Sequence, residues 1–314
     1  MAQAPRVETV TDWLKRGGGR SLASSEMLIL SHRWKNRATD DFADFVPIRL
    51  VTIVEASVQN AVKDLVDNGG DYFLRSKTLF GAIKINFDYL SAIQGKQISI
   101  GDLVAHSVSV NRLENVLTVF STLVDDFVNK LKTIHDRVAV ELHGEPIKPI
   151  IDNYDEVARN MSRLFEVRHI LVHEIPRKKP YEVKDIDIFI ASCEPFCKAL
   201  DAVISKETHG DYPLTQVEMN IAAAGKLEVA ERELAAVLDQ VRNREFMDLE
   251  ELVASQTSWR EFAQKEASFQ ASECKGGSIH GMIYAGALET LVKDRIAQLR
   301  RWIPSETEDD ELIL

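Results

Sequence analysis

Three cysteines in 314 residues, Cys193, Cys197 and Cys274, are too few for a disulfide scaffold and point to a reducing cytoplasm. With only 15 Gly and 9 Pro, long disordered tracts are not expected. No run of about 18 apolar residues is present, which argues against an ordinary membrane-spanning helix, and no membrane partner is expected. Met1 to Arg20 is polar and Gly-rich and lacks an apolar h-region, so it does not read as a secretory signal.

What is present suits a globular chain. At 45% hydrophobic and 28% charged residues, it can bury a sizeable core and stay soluble, in one large or two ordinary domains. The net charge of −11 is uneven: Asp211 to Leu314 holds 20 acidic and 11 basic residues, leaving the first 210 residues close to balance. Bulk charge therefore leaves no nucleic-acid footprint, and an anionic substrate needs a local basic patch.

The hydrophobic period is helical nearly throughout, and the expected fold class is all-α. Pro47 to Asp67 repeats apolar residues at three- and four-residue steps and stops at Asn68-Gly69-Gly70. Lys77 to Ile93 reads as one helix or a broken pair. Asn111 to Val140 reads as one long amphipathic stripe ended by Gly144-Glu145-Pro146. Asn153 caps a helix running to about His173, Pro176 to Pro180 form a turn, and Asp185 to about Lys206 is the next helix. His209 to Pro213 reads as a linker. Beyond it come helical patterns over Leu214 to Val241, Phe246 to about Ala271 and Ser278 to Trp302. The expected organisation is an N-terminal extension (1–45), a helical domain (46–209), a smaller helical domain (213–303) and an acidic tail (304–314).

The segment Arg168-His169-Ile170-Leu171-Val172-His173 closes one of these helices. An Arg and a His suit RNA cleavage without a metal or other cofactor. The ribose 2′-hydroxyl attacks its own phosphate, a His moves the proton and an Arg steadies the phosphoryl charge. Five helical residues turn about 500°, so Arg168 and His173 stand roughly 140° apart and converge poorly within one regular helix. A distorted helix end or a two-fold dimer with a shared cleft removes that difficulty. The basic turn Arg177-Lys178-Lys179 could hold flanking phosphates. Two other readings stand beside this one. Arg168 pairs with a carboxylate while His173 caps a helix C-terminus, or His169 and His173, four apart, serve as metal ligands without an evident third.

An Arg, a polar residue, three more positions and a His, near the end of a helix, resemble the signature of HEPN-domain ribonucleases, over about residues 46 to 208. The resemblance implies a long-helix bundle, a metal-independent endoribonuclease with no cofactor, and a homodimer with a composite site. It also implies a place in toxin–antitoxin or phage-defence systems, with an antitoxin or defence partner. Arg168 and His173 become the catalytic pair, His169 a support, and Glu55 or Asp64 on an earlier helix the acid that orients Arg168.

The second half resembles another family, the LprI-like lysozyme inhibitors, over about residues 216 to 302. The matching residues are Gln216 to Asn220, Ala230 to Leu234, Gln256 with Trp259, Arg260 and Phe262, Gly276 to Ile279, and Arg295 with Leu299. Members of that family are usually exported and carry cysteines where Ala222, Ala267 and Ala287 stand here. Their loss implies a version living where disulfides do not form and counts against lysozyme inhibition; beside a nuclease, the expected role of this half is sensing a trigger, binding a partner or restraining the nuclease. Taken as structure alone, Trp259, Phe262, Leu288, Leu291 and Leu299 are expected in the core at helical spacing. The rival functions are a non-catalytic dimeric interaction platform and a lysozyme-binding protein.

Overall fold

A computed structural model describes residues 7–16, 20–80, 87–95, 97–244 and 248–303. Among them are fourteen α-helices, one 3-10 turn and no strand, so the fold is all-α. The helices are α1 (Val7–Arg16), α2 (Arg20–Lys35), α3 (Phe45–Asp67), α4 (Gly70–Phe80), α5 (Phe87–Gln94), α6 (Ile100–Ser107) and α7 (Leu113–Leu123). They continue with α8 (Phe127–Thr133), α9 (Arg137–His143), α10 (Tyr154–His173), α11 (Asp185–His209), α12 (Gln216–Arg242), α13 (Leu249–Gln270) and α14 (His280–Arg300). The chain divides into two compact units between Tyr212 and Pro213. Residues 81–86 of the expected Lys77–Ile93 helix, Phe246 and the acidic tail 304–314 lie outside the described residues.

The first unit is assembled on α3. Its Leu50, Val54, Val58, Ala61, Val62 and Leu65 are fully buried, and α2, α4, α6, α7, α10 and α11 all pack against it. By length and mean hydropathy (1.2) α3 is apolar enough to cross a membrane, although the sequence shows no unbroken apolar run. Most of it is buried inside the unit, as befits a central core helix.

Two expectations are corrected and one element is added. The described part of the expected extension is not separate: α2 buries Met27, Leu30 and Trp34 against α3, and the Trp34 indole donates to Asp187 on α11. The single stripe over Asn111–Val140 is three helices. Val124 is extended, Asp126 takes a left-handed φ of 53° and Ile134 is extended again, so the chain turns twice where no Gly or Pro marks it. Helix α6 is a further element, opened by a capping box in which the Ser99 hydroxyl accepts from the Asp102 amide and Asp102 accepts from the Ser99 amide.

A polar knot fastens α6 to α3. Lys63 contacts Asp102 at 2.6 Å and Asp67 at 3.2 Å, and donates to the Ser99 hydroxyl at 3.0 Å. Beside it, His106 meets the Trp13 ring of α1 edge-on at 4.9 Å, and its Nε2 is buried without a hydrogen-bond partner. Burial pushes the His106 pKa down; Asp102 opposes and Lys63 adds to the fall. A histidine held neutral by the fold stabilises fully above its unfolded pKa of about 6.5 and loses that stability as pH falls through the lower folded value. Melting temperature should therefore drop below about pH 6.5, and His106→Phe should flatten that limb of the curve; an unchanged limb overturns the assignment.

Candidate functional site

Helix α10 is amphipathic in a way that separates the motif. Asn153 caps its start by accepting from the Glu156 amide, and Met161, Leu164, Phe165 and Val167 face the core. Arg168 extends the 161, 164, 165 stripe by one step, so it enters the core face where an apolar residue would ordinarily sit. His169 and His173 lie on the exposed face, their rings 4.9 Å apart. The helix stays regular through His173, which occupies the last turn, where the helix dipole favours a cation.

Arg168 meets Glu55 of α3, with Nη2 3.6 Å from the carboxylate. Both side chains are about one-quarter exposed. That separation is a loose ion pair and too long for a hydrogen bond. The Arg168 Nε is buried and donates to nothing. Burial raises the pKa of Glu55, and the Arg168 charge opposes the rise. Glu55 is thus the acid that faces Arg168. Asp64 stands nine residues further along α3, about 13.5 Å away by helical rise, and does not share that position.

The basic turn is partly occupied. Arg177 and Lys178 are exposed, whereas Lys179 pairs with Asp44 at 3.1 Å. The Tyr181 hydroxyl also donates to Asp44, and that bond, ahead of Lys179, holds the Asp44 pKa below its ordinary value. Lys179 is therefore not an unengaged phosphate ligand, although an exposed pair of this kind opens at a cost of about 1 kcal/mol or less. No group of three or more His, Cys, Asp or Glu among the described residues joins His169 and His173 in a metal-ligating arrangement. Cys193 and Cys197 are equally unpromising ligands. Burial raises both thiol pKa values, that of Cys197 to about 12. Cavities of about 600 and 650 Å³ open between α9 and α11 instead, and neither Arg168, His169 nor His173 lines them.

In the second unit the residues that carry the second resemblance contact one another. Asn220 donates to the Ser278 carbonyl at 3.0 Å and accepts from Gln216. Glu231 accepts from Arg260 at 2.6 Å and Glu233 from Arg300 at 2.6 Å. Arg295 donates to Gln256 and Ser255 at 3.1 Å, with its guanidinium 5.8 Å from the centre of the Trp259 ring. These polar positions tie α12, α13 and α14 together around a core of Leu234, Val237, Ala263, Ala267, Leu288, Val292 and Ile296. Ala267 is fully buried in that core and Ala287 packs against it.

One member of the expected core is misplaced: Phe262 is 55% exposed, because α13 turns Trp259, Ala263 and Ala267 inward and Phe262 lies off that line. Trp259→Ala should cost about 3 kcal/mol in denaturant unfolding and Phe262→Ala less than about 1 kcal/mol. Equal losses would show that both rings are core.

The family model described as Lysozyme inhibitor LprI matches residues 210–299, a span that holds α12, α13 and all but the last residue of α14. No curated protein and no solved structure matches the chain. The carboxy-terminal unit is therefore similar to the lysozyme inhibitors of that family, and this likeness does not reach α10 or its Arg168–His173 segment.

Proposed function

We propose that the first unit is a metal-independent endoribonuclease of toxin or phage-defence type, needing no cofactor, and that the second unit senses a trigger, binds a partner or restrains it. The observation that supports this reading most is the state of Arg168. A guanidinium set into a core stripe keeps a buried Nε donor unused and only a loose carboxylate at 3.6 Å. An unsatisfied buried donor of a cation costs stability unless a ligand completes it, and a phosphoryl oxygen is a natural acceptor. Exposed His173 supplies the proton-transferring group, His169 its neighbour, and Arg177 and Lys178 nearby positive charge.

Arg168 and His173 diverge on a regular helix, so this reading requires a second copy to complete the cleft. We propose a cytoplasmic homodimer through the first unit, with an antitoxin or defence partner; light scattering on the full chain should give twice the 35.4 kDa mass. His173→Ala should slow RNA cleavage by about 10²–10⁴-fold and Arg168→Ala by about 10²–10³-fold, with circular dichroism unchanged. Cleavage should survive EDTA and leave a 2′,3′-cyclic phosphate, and DNA should stay uncut. Activity that vanishes with EDTA and returns with zinc would move the chemistry to His169 and His173. A folded, monomeric, RNA-inert protein would overturn the nuclease reading.

A second reading is favoured by the match over residues 210–299: the carboxy-terminal unit binds lysozyme. Its acidic excess suits a basic partner. Stoichiometric addition of the full chain to lysozyme in a cell-wall turbidity assay separates the two. Undiminished turnover is expected on the first reading, and titratable loss of activity carries the second.

A further inference from the structure

Helix α9 has no buried residue. One ion pair links its N-cap to α11, and hydrogen bonds tie it to the segment after α11 and join the segments that flank it. Asp136 at its N-cap meets Lys198 at 2.6 Å, Arg137 donates to the Tyr212 carbonyl at 3.1 Å, and the Ile150 amide donates to the Ile134 carbonyl at 2.8 Å. A cavity of about 600 Å³ lies on one side of the Asp136–Lys198 pair and one of about 650 Å³ on the other. Both volumes fall in the range of specific ligand sites. Together they follow α11 from Glu194 to Lys206, about 18 Å by helical rise.

The lining combines an apolar floor with a carboxylate rim. Met27, Val140, Pro149, Ile150 and Pro195 line the first cavity, and Leu28 beside them is 66% exposed. Seven carboxylates line the two cavities against four Lys and Arg side chains. Two of those four cations are already engaged: Lys198 by Asp136 and Arg137 by Glu141. On the first cavity, Glu145, Asp152 and Glu194 stand against Lys148. The first 210 residues are otherwise close to neutral, so this is a local concentration of negative charge.

The geometry points to a docking cleft for a short, extended, basic segment of a partner protein, with lysine or arginine at the rim and apolar side chains on the floor. Its length favours this occupant over a compact organic cation. About six extended residues span about 18–20 Å, whereas a small cation fills one cavity only. A cationic side chain could replace Lys198 on Asp136 and join the two cavities into one groove. The cleft abuts the start of α10. From Asp152 to Arg168 is sixteen residues, about 24 Å along the helix, so the proposal stands apart from the nuclease reading.

The test uses the full chain and a fluorescein-labelled peptide of about six residues alternating leucine and lysine, followed by fluorescence polarisation at low salt. Saturable binding is expected, weakened on the order of tenfold by combined Glu145→Gln, Asp152→Asn and Glu194→Gln and by about 0.5 M salt. Ala202→Trp, which fills the second cavity, should also weaken it if the peptide lies along the whole groove. A peptide alternating leucine and glutamate should not bind. Equal binding of both peptides, or no effect of the carboxylate changes in a protein of unchanged melting temperature, would overturn the proposal. So would saturation by hexyltrimethylammonium with no binding of the peptide, which would leave a small-cation site.

Discussion

The first unit is governed by the need to cover α3 on every side. A helix whose Leu50, Val54, Val58, Val62 and Leu65 are all fully buried cannot sit on a surface, and six other helices close around it. Burying a leucine- or valine-sized side chain contributes about 1.5–3 kcal/mol, so this one helix anchors much of the favourable side of folding. The short helices α4 and α6 then follow as what is needed to cap its C-terminal half. Helices α2, α10 and α11 cover the rest.

Polar groups on such a helix are expensive unless matched, and the two matches differ in kind. Lys63 donates to the Ser99 hydroxyl and pairs with Asp102 at 2.6 Å and Asp67 at 3.2 Å, although the nearby Asp102 Oδ1 is buried and accepts no hydrogen bond. Glu55 is matched only by Arg168 at 3.6 Å, with the Arg168 Nε left over. The first is a fastening between α3 and α6, since removing either side would strand a buried charge. The second is an incomplete pair, which a fold optimised for stability alone would have tightened or replaced by apolar residues. Asp102 Oδ1 and His106 Nε2 are also buried without a hydrogen-bond partner, and Arg168 differs from Asp102 in having its opposite charge at 3.6 Å rather than 2.6 Å.

How far the sequence alone led depended on the kind of signal. Helices α3 and α10 to α14 follow from apolar period and caps, such as Asn153 for α10 and Thr215 with Glu218 for α12. Helix α2 escaped because its core residues Met27, Leu30 and Trp34 are spread among Ser, His, Arg and Lys, although their three- and four-residue steps were there to be read. The Ser99–Asp102 capping box of α6 was likewise a usable signal. The break after α8 carried a cap, since Asp136 accepts from the Ala139 amide, whereas the break after α7 has only the left-handed Asp126 and no Gly or Pro. At the candidate site Arg168, His169 and His173 were visible as letters. The choice of Glu55 over Asp64 was not, because both sit on α3 and only the placement of α10 decides which one meets Arg168.

The second unit makes the opposite use of polarity. Its Gln256, Glu231 and Arg295 spend hydrogen bonds on neighbouring helices, and Asn220 on the turn before α14. Residues that mark a likeness to the LprI family are here structural ties, and they fix how α12 and α13 lie on α14. The buried Ala267 is a small side chain at the centre of the unit, packed in one core with Leu288 and Val292. Where the ties set the scaffold, the surface that the unit presents is made by side chains outside the network. Phe262 and Phe269, seven residues apart on α13, lie on one exposed side of it. The outward surface of this unit can therefore change without disturbing its fold, because the residues that hold the helices and those that face outward are different sets.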